Sequence, residues 1–326
     1  MCEVRLNSFN LFRCSSAQTG EQDPTILFHP QLASRKKPMN YRHAYHAGNH
    51  ADVLKHVVLA RAIGHLARKD KPFRVIDAHA GIGLYSLESE QAGKTLEWRD
   101  GLGRLYDEAG GRLVLDDEAA ETLLSPWRDM VEAVNSRGQG LAWYPGSPEL
   151  SVLLTRPDDR LVFNELHPED FETLAGLYER EKRVRVTQTE ATIAVKANLP
   201  PPERRGIVLI DPPFEKRDDD TRALAMLEQG YKRFATGCFM LWYPVTGDGL
   251  SRRLVEAARQ SGLKRMLQVE LMVRPATMHG GLAGSGLIIV NPPWPLAEEL
   301  PGLMPALSER LRQGEASWTV DWLAGE

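Results

Sequence analysis

Cysteine is scarce in this chain: three in 326 residues, at Cys2, Cys14 and Cys238. Three thiols cannot build a disulfide framework, and they fit a reducing cytosol. No apolar run approaches the roughly 18 residues that span a bilayer, which excludes a membrane protein. The N-terminus has no apolar stretch of signal-peptide length, so a cytoplasmic location is expected. An excess of positive charge is also missing, because the formal net charge is −4. That argues against coating nucleic acid by bulk charge, while leaving room for a local basic face. What is present is 42% apolar and 26% charged residues. This is material for one large α/β core carrying an insertion.

Residues 1–38 show no helical or strand period and end in Arg35-Lys36-Lys37-Pro38. They are expected to be a disordered tail or a start-site extension, with Met39 as the alternative start. They hold five basic and three acidic residues, so the body from 39 onward carries about −6. From Asn49 to Asp70 apolar residues recur at spacings of three and four, which predicts a helix with Asn49 as N-cap. Phe73–Asp77, Leu161–Glu165, Val184–Thr187, Ile207–Asp211 and Cys238–Tyr243 read as strands buried on both faces. Helices are expected over about 168–180, 189–198 and 219–234, and an antiparallel closing pair near 264–273 and 285–291. Such alternation predicts an α/β, Rossmann-like open sheet, mostly parallel and seven-stranded with an antiparallel C-terminal strand. No internal repeat is visible.

Two motifs carry chemistry. The first, Asp77-Ala-His-Ala-Gly-Ile-Gly83, places a carboxylate and a Gly-x-Gly turn at a strand end, with a helix expected to open there. It resembles motif I of S-adenosylmethionine-dependent methyltransferases, with His79 in the place of the first glycine. The bland reading is a tight turn without a ligand. The second, Ile210-Asp211-Pro212-Pro213-Phe214, is sharper. Prolines offer carbonyls but no N–H. Asp211 falls at the carboxyl end of a strand, where open α/β sheets bind ligands. Phe214 gives a base a face to stack on. An exocyclic amine could donate one N–H to Asp211 and the other to a prolyl carbonyl, aiming its lone pair at an electrophile. The later Asn291-Pro-Pro-Trp294 follows an antiparallel strand and reads as structural. Together the two motifs look like an amino-methyltransferase of the Asp/Asn-Pro-Pro-aromatic type.

The acidic residue expected about 20 positions past the glycine turn is matched only by Glu165, 88 residues after Asp77. The excess, roughly 95–142, is rich in Leu, Ala, Glu and Asp and is expected to be a small helical insertion. Six of the nine histidines fall between 43 and 79. His46 and His50 stand at i, i+4, but no glutamate or cysteine completes a zinc motif, so no metal is expected. Arg42, Lys55 and His56 better suit contacts to a nucleotide and its phosphate.

The stretches YRHAYHAGNHADVLKH (41–56), DAHAGIG (77–83), YPGSP (144–148), ELHP (165–168), LIDPPF (209–214), GYKRFATG (230–237), LWYP (241–244) and VNPPW (290–294) add a family signature. Over about 39–326 the sequence resembles the ribosomal RNA large-subunit methyltransferase J family, the 23S rRNA (adenine(2030)-N6)-methyltransferases. The resemblance implies a class I methyltransferase domain that uses S-adenosyl-L-methionine on 23S rRNA; a monomer is expected. It implies that His56, His79 and Ser147 contact the cofactor and that Glu165 holds its ribose hydroxyls. Asp211 would be the catalytic proton acceptor, beside the cofactor, and Tyr41 would face the RNA, with Pro212 and Phe214 at the base. The family's Asp-Gly pair near the adenine is replaced here by Glu190 and Ala191.

An RNA substrate asks an acidic body for a clustered basic face. The candidates are Arg42, Arg61, Arg68, Lys69 and Lys71, with Lys216, Arg217, Lys232 and Arg233 near the DPPF side. DNA adenine or a protein glutamine are the alternative amines, and a non-catalytic RNA- or cofactor-binding module is the alternative class.

Overall fold

The computed structural model describes residues 42–107, 109–138, 140–277 and 280–325. The expectations for 1–38 and for Tyr41 lie outside these residues. The described chain falls in one unit, Asn40–Glu326, and no helix in it is long and apolar enough to cross a membrane.

Helix α1 (His50–Ala67) starts where the sequence says it should. The Asn49 side chain accepts hydrogen bonds from the Ala51 and Asp52 N–H groups, both at 3.0 Å. Then come β1 (Arg74–Asp77), β2 (Leu84–Ser86), α2 (Glu90–Thr95), α3 (Glu118–Asn135), β3 (Trp143–Pro145) and α4 (Ser147–Leu154). Next are β4 (Arg160–Asn164), α5 (Pro168–Tyr178), β5 (Val184–Thr187), α6 (Ala191–Asn198), β6 (Gly206–Ile210), α7 (Asp219–Arg233) and β7 (Cys238–Val245). The chain closes with α8 (Leu250–Gln260), β8 (Met266–Met272), β9 (Gly284–Val290), α9 (Leu296–Leu311) and β10 (Ser317–Ala324).

Eight strands form the main sheet in the order β10-β8-β9-β7-β6-β1-β4-β5. The five from β7 to β5 pair in parallel, and β9, β8 and β10 join through antiparallel ladders. The fold is the expected α/β class, with one strand beyond the seven anticipated. That strand, β10, lies at a sheet edge and is exposed or half-buried apart from Leu323, so it lacks the apolar run that marks a central strand.

Alternation along the parallel strands builds two cores. Val75, Leu161, Phe163, Ile207, Leu209 and Met240 point to one face, with buried residues of α1, α3, α4, α5 and α9. Ile76, Val162, Val208, Ile210, Phe239 and Leu241 point to the other, with α6, α7 and α8. This is the period of two that pleating imposes.

The glycine turn after β1 does not open a helix, contrary to expectation. The chain runs into β2, which pairs antiparallel with β3 across the long intervening segment. The helix that would follow the turn begins only at Ser147, and its entry is tied back to the turn by Gly146 N–H donating to the Gly83 carbonyl at 2.8 Å. Residues between β2 and β3 include α3, whose Leu124, Trp127 and Val131 are completely buried in the core shared with α1 and α9. Trp127→Ala should therefore destabilise the whole domain by about 3–5 kcal/mol. Calorimetry should show one lowered transition. A separate early transition, with the main one unmoved, would mean that α3 forms a core of its own.

Candidate active site

The carboxyl ends of β1, β4 and β6 meet in register, since Asp77 pairs with Phe163 and Leu209. Asp211 follows β6 directly. Its Oδ2 accepts from Lys55 Nζ at 2.5 Å, and the same ammonium donates to Asp52 Oδ1 at 2.9 Å. The Lys55 and Asp52 side chains are 4% and 2% exposed, and that of Asp211 13%. Burial alone would lower the Lys55 pKa; Asp211 and Asp52 reverse this and hold it above its ordinary value. Burial would likewise raise the Asp52 pKa, but His43, Lys55 and His56 keep it well below the usual carboxylate range. A charged lysine is thus clamped between two carboxylates 159 positions apart in the chain, Asp52 and Asp211.

His79 bridges the two motifs. Its Nδ1 accepts from the Asp211 backbone N–H at 3.2 Å, which requires a neutral ring, and burial lowers its pKa to about 4. In the glycine turn, Gly81 has φ +62, and an added Cβ would collide with the Tyr85 hydroxyl. Gly81 N–H donates to Glu165 Oε2 and His167 N–H to Glu165 Oε1, each at 2.8 Å. Glu165 therefore braces the turn with its carboxylate, and burial raises its pKa. Ser147 is buried, and its hydroxyl partly offsets the rise that burial gives the Asp77 pKa. Pro212 is buried. Phe214 has φ +50 and packs edge-on against Trp242 at 5.7 Å between ring centroids. Lys55 Nζ lies 5.8 Å from the same indole.

His56 is buried, with Nδ1 at 2.7 Å from the Tyr144 hydroxyl and its ring stacked on Tyr144, while Nε2 has no hydrogen-bond partner. Glu190 is the N-cap of α6, accepting from Ile193 N–H at 3.2 Å, and Ala191 is the first residue of that helix. Asn164, which the sequence reading passed over, links this loop to the first motif. Its amide donates to the Ala78 and Thr189 carbonyls and its Oδ1 accepts from Thr189 N–H. The available signal was an amide at the end of an otherwise apolar strand.

Two expectations need correction. Arg42 and Lys55 were read as phosphate contacts, yet Arg42 is held by Glu169 and Asp170, both at 2.8 Å, and Lys55 by its two carboxylates. Lys232 and Arg233 were placed near the DPPF loop. They end α7, whose 15 residues carry the chain back to the start of β7. Just beyond, the Asn291 side chain donates to the Ala235 and Gly237 carbonyls, the structural use expected of it. Arg68, Lys69 and Lys71 precede β1 and lie at that same far end, while Arg61 pairs with Glu299 at 2.6 Å. Lys216 and Arg217 alone of the named set follow DPPF directly, and both are exposed. His46 pairs with Glu97 at 3.0 Å, and burial pushes His50 down to about 4. Among the described residues no group of three or more His, Cys, Asp or Glu is arranged for a metal.

A doubly wound sheet with a glycine turn, a carboxylate brace and an Asp-Pro-Pro-Phe loop at one end defines a Rossmann-like methyltransferase whose cofactor is S-adenosyl-L-methionine. The family model described as ribosomal RNA large subunit methyltransferase D, RlmJ, matches residues 70–324, and the chain belongs to that family. It is 40% identical over 289 residues to a Haemophilus influenzae protein named ribosomal RNA large subunit methyltransferase J, covering 88% of this chain and all of the relative. It is 41% identical, with the same coverage, to the Escherichia coli K12 protein of that name. A crystal structure of a Legionella pneumophila protein superposes with a TM-score of 0.76 at 30% identity, covering 85% of this chain and 98% of the other.

The residues present fit that cofactor. The turn brings bare backbone to the pocket, Glu165 adds carboxylate lone pairs, and the His56 Nε2 nitrogen is a buried polar atom awaiting a partner. Burial raises the Asp77 pKa from 3.8 to about 6. The native state then holds a proton that the unfolded chain releases, so this residue's contribution to stability falls as pH rises from about 4 to about 6. Asp77→Asn removes that dependence. The melting temperature of the parent should drop relative to the variant across this window, and a constant difference would assign Asp77 an unshifted carboxyl.

Proposed function

We propose that this chain methylates the N6 amine of an adenine in 23S rRNA, adenine 2030 by family resemblance. The observation that carries the reading is the placement of Asp211 and its prolyl carbonyls beside the glycine turn, locked there by the His79–Asp211 hydrogen bond. The names of the Haemophilus and Escherichia relatives support a large-subunit rRNA substrate. The adenine amine and its position rest on the Asp-Pro-Pro-Phe geometry and the family resemblance.

A base in a folded RNA leaves its stack to reach such a pocket. Phe214, buttressed by Trp242, supplies the face on which it would lie. Lys55 holds one oxygen of Asp211, which leaves the other to accept an N–H of the amine. The second N–H would go to a prolyl carbonyl. With both hydrogens engaged, the nitrogen lone pair is turned out of conjugation. The bound cofactor supplies a methyl group already activated on a cationic sulfur. As the nitrogen–carbon bond formed, the carbon–sulfur bond would break with its electron pair leaving on a neutral thioether; the nitrogen would become cationic, and Asp211 would take the proton it then sheds. Alignment and exclusion of water supply the rest of the rate.

Asp211→Ala should still bind S-adenosylmethionine, weakened by no more than the order of tenfold that one lost charge implies, while methyl transfer falls at least ~100-fold, the usual scale of a positioned acid–base group. The assay uses labelled cofactor and rRNA from cells lacking the enzyme, with the modified nucleoside mapped. Near-parental turnover would falsify the catalytic assignment, and label in DNA or protein would replace the substrate. Tyr41→Ala should weaken RNA methylation more than cofactor binding; equal losses would deny it a substrate role.

A further inference from the structure

Asp52 has no part in the reading above, yet it is the most thoroughly engaged carboxylate near the pocket. Its Oδ1 accepts from Lys55 Nζ, and its Oδ2 accepts from Gly48 N–H and faces His43 Nε2, all at 2.9 Å. Without it, Lys55 and Asp211 would form a neutral pair. With it, two carboxylates surround one ammonium, and wherever the His43 ring against Asp52 is neutral the largely buried cluster keeps a net charge of about −1 that water screens poorly. The two cofactor forms differ in the charge that such a field reads, since the methyl donor carries a cationic sulfonium and its demethylated product a neutral thioether. The amine also gains positive charge as it is methylated.

We propose that Asp52 is a positioning residue that fixes Lys55 and leaves the pocket anionic, so that the site favours the cationic methyl donor over its neutral product. The inference rests on the methyltransferase reading and deepens it: it assigns to a side chain outside the pocket the discrimination between reactant and spent cofactor. Asp52 touches neither, and acts through the ammonium it shares with Asp211.

The test is calorimetric binding of S-adenosylmethionine and of S-adenosylhomocysteine at about pH 8, above the ordinary imidazole range. The proteins are the full chain, Asp52→Asn, and Asp52→Asn/Lys55→Met. Removing one unit charge should cut the preference for the sulfonium form on the order of tenfold, the scale of a charge some 10 Å away in a protein environment. The double variant loses one charge of each sign, keeps Asp211, and should regain the preference. That rescue is opposite to what a merely structural role predicts, and it stands even where the single variant folds poorly. Equal weakening of both forms in Asp52→Asn, or a double variant worse than the single, would overturn the inference alone. Failure of the unaltered chain to bind either form would overturn the methyltransferase reading, and the inference with it.

Discussion

One ammonium holds this site together. Lys55 reaches from the first turns of α1 to the end of β6, and its position depends on both carboxylates that grip it. Taking a lysine out of water costs several kcal/mol, and only close, hydrogen-bonded counter-charges offset it. Asp52 lies one helical turn earlier, at i−3, so it is brought into place by the helix itself. Asp211 arrives by the sheet: β6 lies beside β1, and its carboxyl end opens toward α1. Helix and sheet are thereby joined at Asp211, the residue proposed to receive the amine proton.

The proposed role of Asp211 has to be compatible with this ion pair. A carboxylate consumed by an unrelated partner could not serve an amine. Lys55, however, belongs to the histidine-rich block at the pocket, and its charge is already shared with Asp52. It therefore takes less of the Asp211 charge than a lone lysine would, and the carboxylate retains acceptor capacity. Trp242 beneath Lys55 and beside Phe214 gives the LWYP stretch a physical purpose: one indole supports both the cation and the aromatic wall.

Much of the architecture was legible because local pattern and tertiary role agreed. The β6 run Gly-Ile-Val-Leu-Ile is buried throughout, and a strand covered on both faces has no other composition available to it. Asn49 capped its helix because a short polar acceptor before an apolar period has that use. The glycine turn misled for an equally physical reason. A Gly-x-Gly after a strand states only that the backbone turns tightly, and both a helix and a short strand satisfy it. The helix was displaced to Ser147 by the segment that β2 and β3 bracket. Contacts such as Lys55–Asp211 and Asn164–Ala78 were not legible, because nothing in a single sequence ties residues so distant in the chain.

The distribution of basic residues bears on how an acidic protein holds RNA. Of the lysines and arginines named from the sequence, Lys216 and Arg217 follow the DPPF loop while Arg68, Lys69, Lys71, Lys232 and Arg233 lie at the opposite end of the sheet, because α1 and α7 each carry the chain from one end to the other. An 18-residue helix spans about 27 Å, far beyond a Debye length at physiological salt. The two groups therefore cannot act as one patch on one phosphate run. Of the basic residues named from the sequence, only Lys216 and Arg217 follow the DPPF loop directly, and the net charge of −4 adds no bulk attraction to RNA. On the proposed reading, selectivity would come from contacts to an extruded base, where a pair of N–H acceptors and an aromatic wall discriminate by shape and hydrogen bonding.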